Sequence, residues 1–110
     1  MKYFAADSER KNTVYHEFQK GHFDGKTFWK ADSINLSDDL LFTLHIEDLF
    51  RRVIPDYSDT GESEITPALW ANILREAEAV GGAVFDCIAE ADAWAKETFR
   101  EYDVFTVIGI

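Results

Sequence analysis

The chain ends on Val104-Phe105-Thr106-Val107-Ile108-Gly109-Ile110, a run in which nearly every residue is apolar or β-branched and no polar alternation is visible. A half-exposed strand alternates, so a strand of this kind is covered on both faces and belongs in the interior of a sheet. It therefore needs partner strands, and it needs layers to cover them. The upstream sequence can be read as supplying one or the other.

The covering layer comes first going backwards. Thr66 suits a helix N-cap and Pro67 the first helical position, where a missing N–H costs nothing. Trp70, Ile73, Leu74, Ala77 and Val80 then recur at spacings of three and four, which places them on one helical face. Gly81-Gly82 is costly inside a helix and common just beyond one, so the helix ends there. A second helix is predicted over Ala83–Tyr102, with Val84, Cys87, Ile88, Ala91, Trp94, Ala95, Phe99 and Tyr102 as its apolar stripe and Asp92 and Lys96 spaced to pair. Residues 66–102 thus read as a helical hairpin feeding the strand at 104–110.

The partner strands are sought in residues 1–35. Lys2–Ala6 reads as a first short strand. Thr13–Phe23 and Lys26–Ile34 are rich in aromatic and β-branched residues and flank Asp24-Gly25, a two-residue signature for a tight hairpin turn. Ser37 followed by Asp38 and Asp39 reads as an N-cap with acids in the first turn. Phe42, Ile46, Leu49, Phe50 and Val53 continue one helical face. Leu40, Phe42, Leu44 and Ile46 also alternate as a strand would, but the pattern runs to Ile54 before Pro55 stops it, and that length favours one helix over 37–54. Residues 55–65 read as an acidic loop. The expected fold is α+β, one domain over 1–110: a small sheet from an N-terminal β-hairpin plus the C-terminal strand, with about three helices packed mainly on one face.

Charge bounds the partners. Hydrophobic residues make up 46% of the 110 and aromatics 15%, enough for a packed core rather than disorder. The net charge is −10 and is uneven: residues 1–35 carry six Lys/Arg against five Asp/Glu, residues 36–110 five against sixteen. Such a chain repels nucleic acid and anionic membrane and attracts basic proteins. No run approaches a membrane span, no secretory leader pattern opens the chain, and the single cysteine, Cys87, excludes an internal disulfide. A soluble, cytoplasmic protein is expected.

Sites of chemistry are sparse. From Asp56 the sequence matches the first half of a calcium loop, with Asp56, Ser58, Thr60 and Gly61 in place. The twelfth position, where a bidentate Glu belongs, is Pro67. No zinc spacing, phosphate-cradling glycine loop or nucleophile elbow is present, and neither a metal nor a cofactor is expected. His16 and His22, six apart and close to Asp24, are the minimum for general-base chemistry and supply the alternative reading of a small enzyme. A surface or half-buried side chain is the commoner fate of such histidines. A third reading is an interaction or subunit domain whose charge is incidental.

In size, acidity and lack of a catalytic signature, the chain resembles the small cytoplasmic immunity proteins that bacteria keep against secreted toxins. The resemblance implies a non-enzymatic, one-to-one inhibitor that blocks a basic toxin domain, often a nuclease. Asp56, Tyr57, Asp59, Glu62 and Glu64 are then the candidate partner-binding residues, the acids raising the on-rate and Tyr57 anchoring.

Overall fold

A computed structural model describes all 110 residues. The chain forms strands Phe4–Ala6 (β1), Tyr15–Lys20 (β2) and Ile34–Ser37 (β3), helices Asp38–Thr43 (α1) and Ile46–Val53 (α2), strand Glu62–Ile65 (β4), helices Pro67–Val80 (α3) and Gly82–Phe99 (α4), and strand Phe105–Ile108 (β5). The five strands make one antiparallel sheet in the order β1-β3-β2-β5-β4. The fold is α+β, and the apolar last strand lies inside the sheet, between β2 and β4.

Local signals account for the helical hairpin. The Thr66 hydroxyl accepts from the Leu69 N–H, Pro67 is the first residue of α3, and the chain breaks at Gly81, whose φ of 76° lies in the left-handed region. Phe4, Phe18, Ile34, Leu36, Ile65, Phe105 and Val107 project from one face of the sheet into a core shared with Leu41, Ile46, Leu49, Phe50, Trp70, Ile73, Cys87 and Ile88 of the helices. Phe105 is the hub: Phe18, Trp70, Trp94 and Phe99 surround it at centroid distances of 5.6, 5.5, 5.2 and 5.7 Å.

The opposite face of the sheet is polar and yet buried. Glu17, Gln19, Asn35 and Thr106 are each no more than 1% exposed. Residues 21–33 fold back across them. The Glu17 carboxylate accepts from the backbone N–H groups of Trp29 (2.8 Å) and Lys30 (2.9 Å), from the Ser33 hydroxyl (2.6 Å) and from the Gln19 amide (3.0 Å). Arg10 closes the edge of this cover by stacking 3.8 Å over the Trp29 ring.

That arrangement corrects the two-residue hairpin. β2 and β3 do pair antiparallel, with Phe18 opposite Ile34, but their connection is the whole segment 21–33. Asp24-Gly25 is a turn within it, where the Asp24 carboxylate receives the Lys26 and Thr27 N–H groups and the Thr27 hydroxyl. Those bonds, from the Thr27 hydroxyl first, hold the Asp24 carboxyl well below the usual carboxylate range. Trp29, inside the Lys26–Ile34 stretch expected to be a strand, sits instead in this loop at φ 61° and is half-buried.

Two further differences have physical causes. The single helix over 37–54 is two helices, broken where His45 adopts φ 59° and ψ 33°. A left-handed non-glycine residue costs on the order of 1–3 kcal/mol and persists only where its surroundings demand it. Here it re-phases the chain, so that Leu41 and Ile46 both reach the core while Phe42 is left 38% exposed. The acidic loop is also shorter than expected, because Glu62–Ile65 is a strand. Its exposed-buried alternation and its pairing with β5 carry it, rather than its own propensity.

The N-terminal strand is tethered by Glu90 of α4, whose carboxylate accepts the N–H groups of Lys2, Tyr3 and Phe4. At the other end, the Gly109 N–H reaches the Gly61 carbonyl and the Ile110 N–H the Asp59 carbonyl. A Cβ at Gly109 would overlap the Asp59 backbone, so this close approach requires glycine.

Candidate functional site

β4 is an edge strand, hydrogen-bonded only to β5. Ser63 and Ile65 turn toward the core, so Glu62 and Glu64 turn the other way and are exposed. Glu64 receives the His22 imidazole Nδ1 at 2.5 Å. The charge of Asp103, just ahead of β5, also reaches His22. Glu62 and Glu64 thus lie side by side on the outer face of this edge strand, with His22 drawn to Glu64 and Asp103 near enough for its charge to act on that imidazole. Glu62 and Asp103 enter no ion pair.

The five residues nominated from sequence separate into two groups. Asp56, at φ 56° after Pro55, is exposed, as are Glu62 and Glu64. Asp59 and Tyr57 serve the fold. Asp59 holds Arg51 at 3.5 Å and its carbonyl fastens the chain end. Tyr57 packs edge-on against Phe50 at 5.4 Å, and its hydroxyl is buried without a partner. Burial first, and then the Asp59 charge, push that hydroxyl well above the ordinary phenol range. In the segment tested as a calcium loop, the Ser58 and Thr60 hydroxyls bond each other at 3.0 Å, and the later positions belong to β4.

His16 and His22 do not share a surface. His16 lies on the core side of β2, is 0% exposed, and bonds Asp38 through Nε2 at 2.8 Å. His22 is exposed in the loop after β2. Cys87 is buried, and that burial pushes its thiol up to about 12, the character of an inert packing residue. Asp103 escaped the sequence reading because nothing local links it to Glu64; only the β4–β5 pairing brings the two segments together.

The His22–Glu64 contact has a measurable consequence. The hydrogen bond to Glu64, then the Glu64 charge and the more distant Asp103 charge, raise His22 above the ordinary 6.5 of an imidazole. A raised basic group stabilises the fold fully below pH 6.5, and that contribution is lost as pH rises through the folded value. An NMR titration should place the His22 midpoint above 6.5, and Glu64→Gln should return it toward that value. A midpoint unmoved by Glu64→Gln would show that the pair does not persist in solution.

No helix is long and apolar enough to cross a membrane. Comparison of the chain with protein-family models, curated proteins and solved structures found no match.

Proposed function

We propose that this is a non-catalytic, cytoplasmic protein-binding domain of the immunity type, which uses the acidic side of its sheet to occupy a basic partner such as a toxin or nuclease domain. The observation that carries the reading is the β4 edge, where Glu62 and Glu64 are exposed with His22 as the only basic neighbour in bonding range. A sheet edge offers unpaired backbone groups, and carboxylates on it favour a basic segment over a second copy of this chain. Asp56 is exposed on the loop that leads into β4, and Tyr57 and Asp59 hold that loop to the fold. The alternative of a small enzyme draws on the exposed His22–Glu64 pair, but with His16 buried that pair would act without a second histidine.

Affinity capture of the tagged protein from its host's lysate, at low and high salt, tests the proposal. One basic protein should be retained at low salt and weakened by salt. Reversal of Glu62 and Glu64 to lysine should slow its association by about tenfold or more, as loss of electrostatic steering does. Retention of nothing basic at low salt, or capture indifferent to both reversals, would remove the reading.

A further inference from the structure

His45 joins α1 to α2 in the left-handed region, a conformation that histidine accepts more readily than most residues with a Cβ. It sets the imidazole against the first turn of α2, where Nδ1 lies 3.7 Å from Glu47 Oε1 and 3.7 Å from Asp48 Oδ2. Donor atoms of the three side chains all lie within 4.8 Å of one another. Acids in a first helical turn suit the helix dipole, which is reason enough for the exposed Asp48. It is not reason enough for Glu47, which is only 6% exposed and whose Oε2 is buried with no hydrogen-bond partner. The basic group in ion-pair range of this carboxylate is the His45 imidazole at 3.7 Å, beyond hydrogen-bond length. Buried carboxylates persist when paired or when they coordinate a metal.

We propose that His45, Glu47 and Asp48 bind a divalent first-row transition-metal ion of the Zn²⁺ kind. One imidazole with two carboxylates is a donor set that such ions take. Zn²⁺ holds nitrogen and oxygen donors at about 2.0–2.2 Å, and tetrahedral geometry at that radius separates neighbouring donors by about 3.4 Å. The two separations from His45, 3.7 Å each, lie close to that value, and the two carboxylates, within 4.8 Å of each other, must draw together to complete the set. Two carboxylates outweigh the partial positive charge, about half a unit, of the helix N-terminus. A cavity of about 410 Å³ opens beside His45 and Asp48, lined by Arg51 and Arg52 of α2 as well as by Val80 and Val84 at the α3–α4 junction, so a fourth, exchangeable ligand can reach the ion, and the two guanidinium groups favour an anionic one. This site is independent of the acidic sheet edge and does not rest on its role.

The test is titration of the untagged 110-residue chain with Zn²⁺ by calorimetry, with thermal unfolding measured in parallel. One ion per chain should bind and raise the unfolding temperature. Asp48→Asn, an exposed change, should weaken binding by more than the roughly 10–100-fold that loss of an outer-shell partner costs. His45→Gly separates ligand loss from misfolding: glycine accepts the left-handed backbone, so the fold should be retained or strengthened while binding disappears. His22→Ala should bind as the parent does. The proposal is overturned if the parent shows no saturable binding up to about 1 mM Zn²⁺. It is equally overturned if Asp48→Asn and His45→Gly bind as tightly as the parent.

Discussion

Glu17→Ala should destabilise the protein by about 3–5 kcal/mol, because a buried carboxylate that several donors depend on cannot be removed without stranding them. Two backbone N–H groups, the Ser33 hydroxyl and the Gln19 amide all point at this one side chain. Hydrogen bonds to a charged group contribute about 1.5–3 kcal/mol each, and the sum is capped because residues 21–33 can lift away and return their donors to water. Lifting uncovers the polar sheet face, so the damage is local first. Amide exchange at Trp29 and Lys30 should accelerate by more than the fall in the urea midpoint alone accounts for. Glu17→Gln keeps one acceptor oxygen but presents an N–H₂ to facing donors, and it should recover only part of the loss. A loss below about 1 kcal/mol for Glu17→Ala, with those amides still protected, would show that the loop is held by something else.

Phe105→Ala should cost about 3–5 kcal/mol, the range for emptying a fully buried aromatic site. The upper end is expected, since the ring is 0% exposed and touches Phe18 of the sheet, Trp70 of α3 and Trp94 and Phe99 of α4 at once. Each aromatic pair adds about 0.5–1.5 kcal/mol beyond the area it buries. Domains of this size are stable by only about 5–15 kcal/mol. The substitution should therefore lower the melting temperature by about 15 °C or more and collapse the near-ultraviolet signal of Trp70 and Trp94. Phe105→Leu refills most of the volume and should retain more than half of the lost stability. If Phe105→Ala left the melting temperature within about 5 °C, the ring would not be the centre of the core.

The elements legible in the sequence were those whose signals are local. Thr66-Pro67 caps, Gly81 stops, and the apolar run at 104–110 admits only an interior strand; all three sit where those residues require. What was not legible depends on contacts distant in sequence. Glu62-Ser63-Glu64-Ile65 has one apolar residue in four and becomes a strand only because β5 lies beside it. The burial of Glu17 and Gln19 was not legible either, since nothing in their own segment tells that Trp29, Lys30 and Ser33 return to cover them. At the candidate site, the exposed acids Asp56, Glu62 and Glu64 could be nominated from charge alone. The demotion of Tyr57 to a packing residue needed Phe50, and the arrival of Asp103 needed the sheet.

The position of β5 also governs how the molecule must assemble. Lys20 pairs with Phe105 and Glu17 with Ile108, so the two strands at the heart of the sheet are joined by the whole of residues 21–104. α3 and α4 can collapse on each other early, because their contacts are short-range. The sheet cannot be completed until its most distant segments have met, and non-local pairing of this kind slows folding relative to a purely helical bundle. During that interval β2 and β4 are both unpaired on the side that β5 will fill, which is the exposure through which partly folded chains associate. Glu62 and Glu64 on β4 oppose such pairing between copies by like-charge repulsion. The same two carboxylates that face outward on the folded edge are thus placed to keep unfinished sheets of neighbouring chains apart.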